Sequence, residues 1–213
     1  LIKLLKKSKA ERVEMILDEE EVTFIFDDTR LTMPTTDAGE FPSLPAPTEM
    51  ELVTELAFET EILQKALVDV LPCISTDETR PYLNGMAVQL IEDQVHLVST
   101  DGHRMAIRRV EARGMEDEFS ILVPRTAVQH LISQLRGKKV SAETTLRIYK
   151  GKSRHHAQVC FRKDGVDHET WIRLSDSEFP PWQHVVPRPN GIHMEFDAQE
   201  LAEATQQAHA FST

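Results

Sequence analysis

The sequence has few of the features that mark secreted or membrane proteins. It contains two cysteines, Cys73 and Cys160, among 213 residues, and two are too few for a disulfide framework. No apolar run approaches the roughly 18 residues that a membrane-spanning helix requires, and no signal peptide is recognisable at Leu1. We therefore expect an ordinary globular protein of the reducing cytoplasm, without membrane association.

Positive charge is also scarce, since 24 Lys and Arg stand against 35 Asp and Glu, which gives a net charge of −11. Over the whole chain this balance argues against a nucleic-acid partner. The basic residues are clustered, however: residues 1–12 contain five basic residues and one acidic residue, and residues 124–139 contain four basic residues and no acidic one. A cationic stripe in an acidic protein is typical of a surface that binds a polyanion. A solvated helix face without a ligand would give the same pattern.

What the chain does contain is a long internal repeat. Glu40-Phe41-Pro42 recurs 138 residues later as Glu178-Phe179-Pro180, and residues 1–5 resemble residues 131–135 at an offset of 130. Solenoid repeats run to roughly 20–50 residues, so this period indicates a duplicated domain. We predict the end of one copy in residues 1–47, a complete copy in residues 48–188 and the start of a third in residues 189–213.

The hydrophobic pattern predicts an α+β fold in which two helices of each copy pack on one antiparallel sheet. In the complete copy the helices are expected over residues 60–71, with Thr60 as N-cap, and from Pro124 to Gly137. Residues 1–12 should be the end of an equivalent helix, and residues 194–213 a strand followed by a helix. Residues 34–51, which hold four prolines, read as a connector. The predicted strands are 22–26, 31–33, 52–58, 86–91, 95–98, 104–110, 119–123, 146–149, 157–161 and 171–174.

Four segments, taken in order, carry a resemblance to a known family. The first is Arg-Pro-Tyr-Leu-Asn-Gly at residues 80–85, and the second is Thr-Asp-Gly-His-Arg-Met at residues 100–105. Val123-Pro124-Arg125 precedes the second helix, and Phe-Pro-Pro-Trp-Gln-His-Val-Val-Pro spans residues 179–187. Together they resemble the second domain of the bacterial DNA polymerase III β sliding clamp. A clamp subunit is built from three copies of one domain, which agrees with the internal repeat.

The resemblance implies a DNA clamp fold and a processivity factor that is not an enzyme and needs no cofactor or metal. Two full-length subunits would close a ring around duplex DNA, with helices lining the hole and sheets outside. Basic side chains there would attract phosphates without reading bases. The channel residues that it implies are Lys6, Lys7, Arg80, Tyr82, Arg125, Arg136 and Lys138. Pro81 replaces an aromatic residue that is common in the family.

The resemblance also implies a pocket for short peptides of the DNA polymerase III α subunit, the clamp loader and repair proteins. Its residues in this chain are Leu83, Thr100, Gly102, His103, Arg104, Met105, Pro180, His184 and Val185. Methionine suits a pocket with several ligands, because it is adaptable. The rest of the pocket belongs to the end of the third domain in the family. Because family subunits join through their first and third domains, we expect this chain alone to be monomeric.

Other interpretations of these residues remain open. A hydrolase triad of Ser99, Asp101 and His103 requires convergence that neighbours on one strand cannot achieve. Zinc could be bound by histidines, although adjacent histidines on a strand point to opposite faces; the candidates are His155, His156 and His168. Leu83, Met105 and Val185 could be plain core residues. A peptide-binding adaptor that does not encircle DNA is the main alternative function.

Overall fold

The computed structural model describes residues 1–40, 49–114, 118–137, 139–151, 155–187, 191 and 194–210. The helices are α1 (Ile2–Leu5), α2 (Thr60–Val70), α3 (Arg125–Gln134) and α4 (Ala198–Ala210). The strands are β1 (Glu14–Leu17), β2 (Glu21–Phe26), β3 (Thr29–Pro34), β4 (Glu51–Glu59), β5 (Gly85–Ile91), β6 (Gln94–Thr100), β7 (Met105–Val110), β8 (Ser120–Pro124), β9 (Glu143–Lys150), β10 (His155–Lys163) and β11 (Val166–Arg173). Short 3₁₀ turns occur at Ala38–Glu40, Leu71–Cys73, Pro81–Leu83 and Trp182–Val185.

The α+β class is confirmed, but residues 51–173 form two four-stranded antiparallel sheets rather than one. Their strand orders are β11–β10–β9–β4 and β7–β6–β5–β8. The chain here consists of two halves, each with one strand, one helix and three further strands. The first strand of each half pairs in the sheet of the other half, β4 with β9 and β8 with β5. Such non-local pairing leaves no periodic signal, so the sequence pattern did not reveal the second sheet.

A single hydrophobic core joins the two four-stranded sheets to α2 and α3. The helix expected over residues 60–71 is observed as α2, which buries Leu63, Ala66, Leu67 and Val70 on one face. Burial of each large apolar side chain stabilises the fold by about 1.5–3 kcal/mol. Thr60, however, is the first helical residue and not the N-cap: its hydroxyl is buried and makes a 2.8 Å hydrogen bond with the hydroxyl of Thr144.

The helix predicted from Pro124 to Gly137 is observed as α3 (Arg125–Gln134), with Pro124 as its N-cap, and it buries Val128 and Leu131. Its C-terminal carbonyl groups are held from a neighbouring strand. The Nζ of Lys163 donates hydrogen bonds to the carbonyl oxygens of Gln134 and Arg136, at 2.8 and 3.1 Å. A cation at this end also complements the helix dipole.

The internal repeat is visible in the elements. The sheet order β1–β2–β3 matches β9–β10–β11, and both second hairpins turn through an aspartate with positive φ, Asp27 at 48° and Asp164 at 53°. Helices α2 and α4 begin 138 residues apart, at Thr60 and Ala198. The domain bounds 1–47, 48–188 and 189–213 remain predictions.

Two predictions at the ends of the chain were wrong. The helix expected over residues 1–12 is confined to Ile2–Leu5. Beyond it, the Ser8 hydroxyl donates to Asp27 and accepts from the amide of Ala10, local bonds that compete with helix. Residues 194–197 form no strand, and within the described ranges no strand pairs with them. None of the described helices combines the length and apolarity needed to cross a bilayer.

Candidate functional site

The candidate site lies on the outer face of the sheet β7–β6–β5–β8, the face turned away from the main core. A second small cluster forms there from Ala87, Val98 and the buried Trp182. Phe179, Ile91, Met105 and Ile107 pack against it. The segment after β11 therefore crosses the outer face of this sheet and is fixed to it by aromatic side chains.

The turn from β6 to β7 forms one wall of the site and is tightly bonded within itself. The Asp101 carboxylate accepts hydrogen bonds from the amides of His103 and Arg104, both at 3.0 Å, and from Nε of Arg104 at 3.0 Å. The Thr100 hydroxyl donates to the carbonyl oxygen of Arg104 at 2.8 Å. Gly102 has φ of +92°, which favours glycine at this position.

These bonds define the charge state of Asp101. Backbone hydrogen bonds from His103 and then Arg104 lower the pKa of its carboxyl group from 3.8 to about 2. The carboxylate is therefore ionised at neutral pH and serves as an anchor for the turn.

An open groove of about 360 Å³ lies between this turn and the segment that crosses the sheet. Six of the nine predicted pocket residues line it: Thr100, Gly102, His103, Arg104, Met105 and Val185. Sequence reasoning missed Ile107, Val186 and Pro187, which also line it. The sequence did contain signals for these three residues. Ile107 lies on the same strand face as Met105, and Val186 and Pro187 end the motif at residues 179–187.

The remaining three predicted pocket residues do not line this groove. Leu83 is buried in a 3₁₀ turn, and its carbonyl oxygen accepts the amide of Ser75 at 3.1 Å. Pro180 is half-buried and His184 is exposed. The groove thus combines apolar walls, a flexible methionine and a rim that carries His103 and Arg104. Such a combination suits an extended peptide with apolar side chains.

The Arg80–Gly85 motif lies beside the turn. Arg80 pairs with Asp77, with 2.8 Å between Nε and Oδ2, and hydrogen bonds from Thr79 and Arg80 lower the pKa of Asp77. A Cβ built on Gly102 would stand 3.2 Å from Nη1 of Arg80. Arg80 therefore lies close to the turn at Gly102, while Tyr82 is 40% exposed.

The predicted channel cations differ in their surroundings. Arg125 is engaged within the protein, since its Nη1 donates to the carbonyl oxygens of Leu71 and Ile74 at 3.0 and 2.6 Å. Lys6, Lys7 and Arg136 are exposed. In the part of the chain that the structure describes, none of these three makes an ion pair. Lys138 lies outside the described residues.

The geometry does not assemble the triad. Ser99 is fully buried, and its hydroxyl donates to the carbonyl oxygen of Val70 at 2.6 Å. The Asp101 carboxylate accepts hydrogen bonds from backbone amides, and the His103 side chain is exposed. A nucleophile, base and orienting group therefore do not converge.

The histidines are also separated. His155 is exposed, its neighbour His156 is buried, and the ring of His168 stacks on Phe161 with 5.1 Å between centroids. Within the described ranges, no group of three potential ligands is placed to hold a metal ion. The tryptophan outside the site, Trp171, packs on Tyr149 with 5.4 Å between ring centroids and donates its indole hydrogen to Glu169.

Comparison with known proteins agrees with this architecture. A family model described as the DNA polymerase III beta subunit, central domain, matches residues 57–181. The beta sliding clamp of Salmonella typhimurium is 26% identical over 184 residues, which cover 86% of this chain and 47% of the relative. The beta sliding clamp of Escherichia coli K12 is 25% identical over 184 residues, which again cover 86% of this chain and 47% of the relative. The chain thus spans about half the length of the curated relatives it matches.

Solved structures show the same fold. The DNA polymerase III subunit beta of Pseudomonas aeruginosa superposes with a TM-score of 0.73 at 24% identity, covering 97% of this chain and 54% of that chain. The DNA polymerase III beta subunit of Thermotoga maritima superposes with a TM-score of 0.62 at 24% identity, covering 87% of this chain and 47% of that chain. Since the family model covers more than half of its residues, this chain belongs to the DNA polymerase III beta subunit family, whose central domain it contains.

Proposed function

We propose that this chain is part of a sliding clamp, the processivity factor that encircles duplex DNA and tethers polymerases to it. The observation that carries the proposal is the match of residues 57–181 to the central domain of the DNA polymerase III beta subunit. In this proposal the full-length protein closes a homodimeric ring, and the 213-residue chain alone is a monomer. The role is one of attachment, with no catalytic residue, cofactor or metal.

The DNA-binding part of the proposal rests on repeated cations. Lys6 and Arg136 stand 130 residues apart, the same offset at which residues 1–5 resemble residues 131–135. Each follows a helix in its copy of the domain. Both side chains are exposed. Cations at equivalent positions of successive domains would meet the phosphate backbone at intervals without reading sequence. Such attraction permits sliding, and it weakens as salt rises.

The partner-binding part rests on the groove between Thr100–Ile107 and Val185–Pro187. Val185 is 66% exposed, and an apolar side chain so exposed on a groove wall favours an apolar ligand. We propose that peptides from the DNA polymerase III α subunit, the clamp loader and repair proteins dock there.

The topological part can be tested with the full-length protein on circular and linearised duplex DNA. A ring should remain on closed circles at a salt concentration that strips it from linear molecules, because it leaves linear DNA over the ends. Gel filtration of the protein–DNA mixture measures retention. Equal retention on both forms would exclude the ring and favour the adaptor without DNA encirclement.

The peptide-binding part can be tested by titrating the chain with a fluorescent synthetic peptide rich in Gln and Leu. We expect His103→Ala and Met105→Ala to weaken binding about 5-fold or more, since each removes a groove contact of roughly 1 kcal/mol or more. Arg109→Ala is a matched control, because Arg109 is exposed on the same strand but does not line the groove. Unchanged affinity in both groove variants would remove this pocket from the proposal.

A further inference from the structure

One wall of the groove is anchored by Trp182, which does not itself line the groove. The indole is buried, with 7% of the residue exposed, and it packs with Ala87 and Val98 on the outer face of the sheet. The groove residues Met105 and Ile107 pack against this same cluster. The indole is therefore continuous with the floor of the groove.

The orientation of the indole is fixed by Gln89 of β5. Trp182 donates its indole hydrogen to Oε1 of Gln89 at 2.8 Å, and Nε2 of Gln89 donates to the Ser120 hydroxyl at 2.9 Å. The oxygen and the nitrogen of the Gln89 amide therefore each have a partner, and these two bonds fix the orientation of the amide group. The ring of His96, the residue opposite Gln89 on β6, lies 5.8 Å from the indole.

Trp182 is also the first residue of the 3₁₀ turn Trp182–Val185. Val185 is the last residue of this turn, and Val186 and Pro187 follow it. These three residues form the wall opposite the Thr100–Met105 turn. A short turn transmits displacement of its first residue to its last. The indole is therefore joined to this wall by one short turn of backbone.

We propose that Trp182, held by Gln89, is a positioning residue that sets the width of the groove and thereby its affinity for peptide. This inference rests on the proposed function, because it assumes that the groove binds peptides. Trp182 acts through Val185 and Val186 rather than by touching the ligand. A buried indole bonded to a fixed amide is suited to this role, since the bond is lost if the ring shifts.

The test compares four variants of the full-length protein with wild type, using the fluorescent peptide rich in Gln and Leu. Trp182→Phe and Gln89→Leu each remove the bond and should weaken binding about 3- to 10-fold. Gln89→Glu keeps an acceptor for the indole and should bind within about 2-fold of wild type. The double variant Trp182→Phe/Gln89→Leu should be no weaker than either single one, because both remove the same bond.

A second readout needs no peptide. The Trp182 indole proton should exchange with solvent more slowly than that of the half-buried Trp171, and Gln89→Leu should speed it while Gln89→Glu does not. Slow exchange that Gln89→Leu leaves unchanged would overturn the inference.

The outcomes separate the two ideas. Failure of the full-length wild-type protein to bind the peptide would overturn the peptide-binding part of the proposed function. Binding by wild type with equal affinity in Gln89→Leu, at a temperature where both are folded, would overturn only the positioning role. A lowered unfolding midpoint without a change in affinity would show a purely structural contact, and it would overturn that role as well.

Discussion

At the scale of single residues, several ionised groups of this domain hold turns and helix ends in place. Asp101 is the clearest case, because three donors converge on a carboxylate that sequence reasoning considered for a triad. The sequence placed it beside His103 but could not show that its partners are backbone amides. The sequence also could not show the partners of Arg125, because its guanidinium donates to the carbonyl oxygens of residues more than 50 positions earlier in the chain.

Asp101 should make stability depend on pH at the acidic end. Its pKa is about 2 in the folded chain and 3.8 for the free group. Its contribution is therefore complete above about pH 4 and is lost as pH falls through about 2. We expect the difference in urea midpoint between wild type and Asp101→Asn to shrink over that interval. The pKa of Asp77 is also lowered, but wild type and Asp101→Asn both contain Asp77, so its contribution to stability cancels in the difference. A difference that stays constant from about pH 4 to about pH 2 would contradict the assignment.

Arg125 should contribute to stability rather than to DNA binding. Arg125→Ala leaves the carbonyl oxygens of Leu71 and Ile74 without their donor, so we expect a loss of about 1–3 kcal/mol in the free energy of unfolding. Urea unfolding followed by circular dichroism measures it. Arg136→Ala is the control, since its exposed side chain should cost less than about 0.5 kcal/mol. Equal stability of the two variants would refute the role.

At the scale of elements, two of the sequence motifs meet at a close backbone approach. Gly85 pairs with Pro124 across β5 and β8, and the amide of Arg125 donates to the carbonyl oxygen of Asn84 at 3.0 Å. A Cβ on Gly85 would lie 2.7 Å from the carbonyl oxygen of Val123. The glycine that ends the Arg80–Gly85 motif is therefore required where the two halves of the domain join.

Gly85→Ala should be destabilising by about 1–3 kcal/mol, because the backbone of β5 or β8 must move to admit the methyl group. Gly39→Ala is the control, since its nearest neighbour is the movable Asp37 carboxylate at 3.3 Å. Thermal unfolding of both variants gives the comparison. A Gly85→Ala protein as stable as wild type would show that the strands separate without cost.

Element type was predictable where a pattern was local. The helix over residues 60–71 and the strands at residues 86–91 and 95–98 follow from periodicity, and the structure confirms them. β1 was missed because all four of its residues are exposed and give no alternation. In the site, the motif segments supplied six groove residues. The role of Trp182 depends on a partner 93 residues away, which no local pattern shows.

At the scale of the whole molecule, net charge and local charge oppose each other. A chain of net charge −11 would be repelled by DNA unless its cations share one face. In the proposed function, exposed cations such as Lys6 and Arg136 provide that face.

Arg136→Ala should weaken binding to a short random duplex and lower the slope of log affinity against log salt by about 0.9, the value for one phosphate contact. Arg109→Ala, on the outer face of β7, should leave the slope unchanged. Anisotropy titrations across a range of salt concentrations measure both. An equal slope in wild type and Arg136→Ala would exclude Arg136 from the DNA contact.

The exchange of first strands between the two sheets also bears on how the chain acquires its structure during synthesis. Leu56 of β4 pairs with Leu146 of β9, so β4 has no strand partner until 90 further residues have been made. Neither half of the domain can complete its sheet alone. We therefore expect the central domain to fold in one late, slow step dominated by distant contacts. Its apolar β4 would then remain exposed on the nascent chain until β9 emerges.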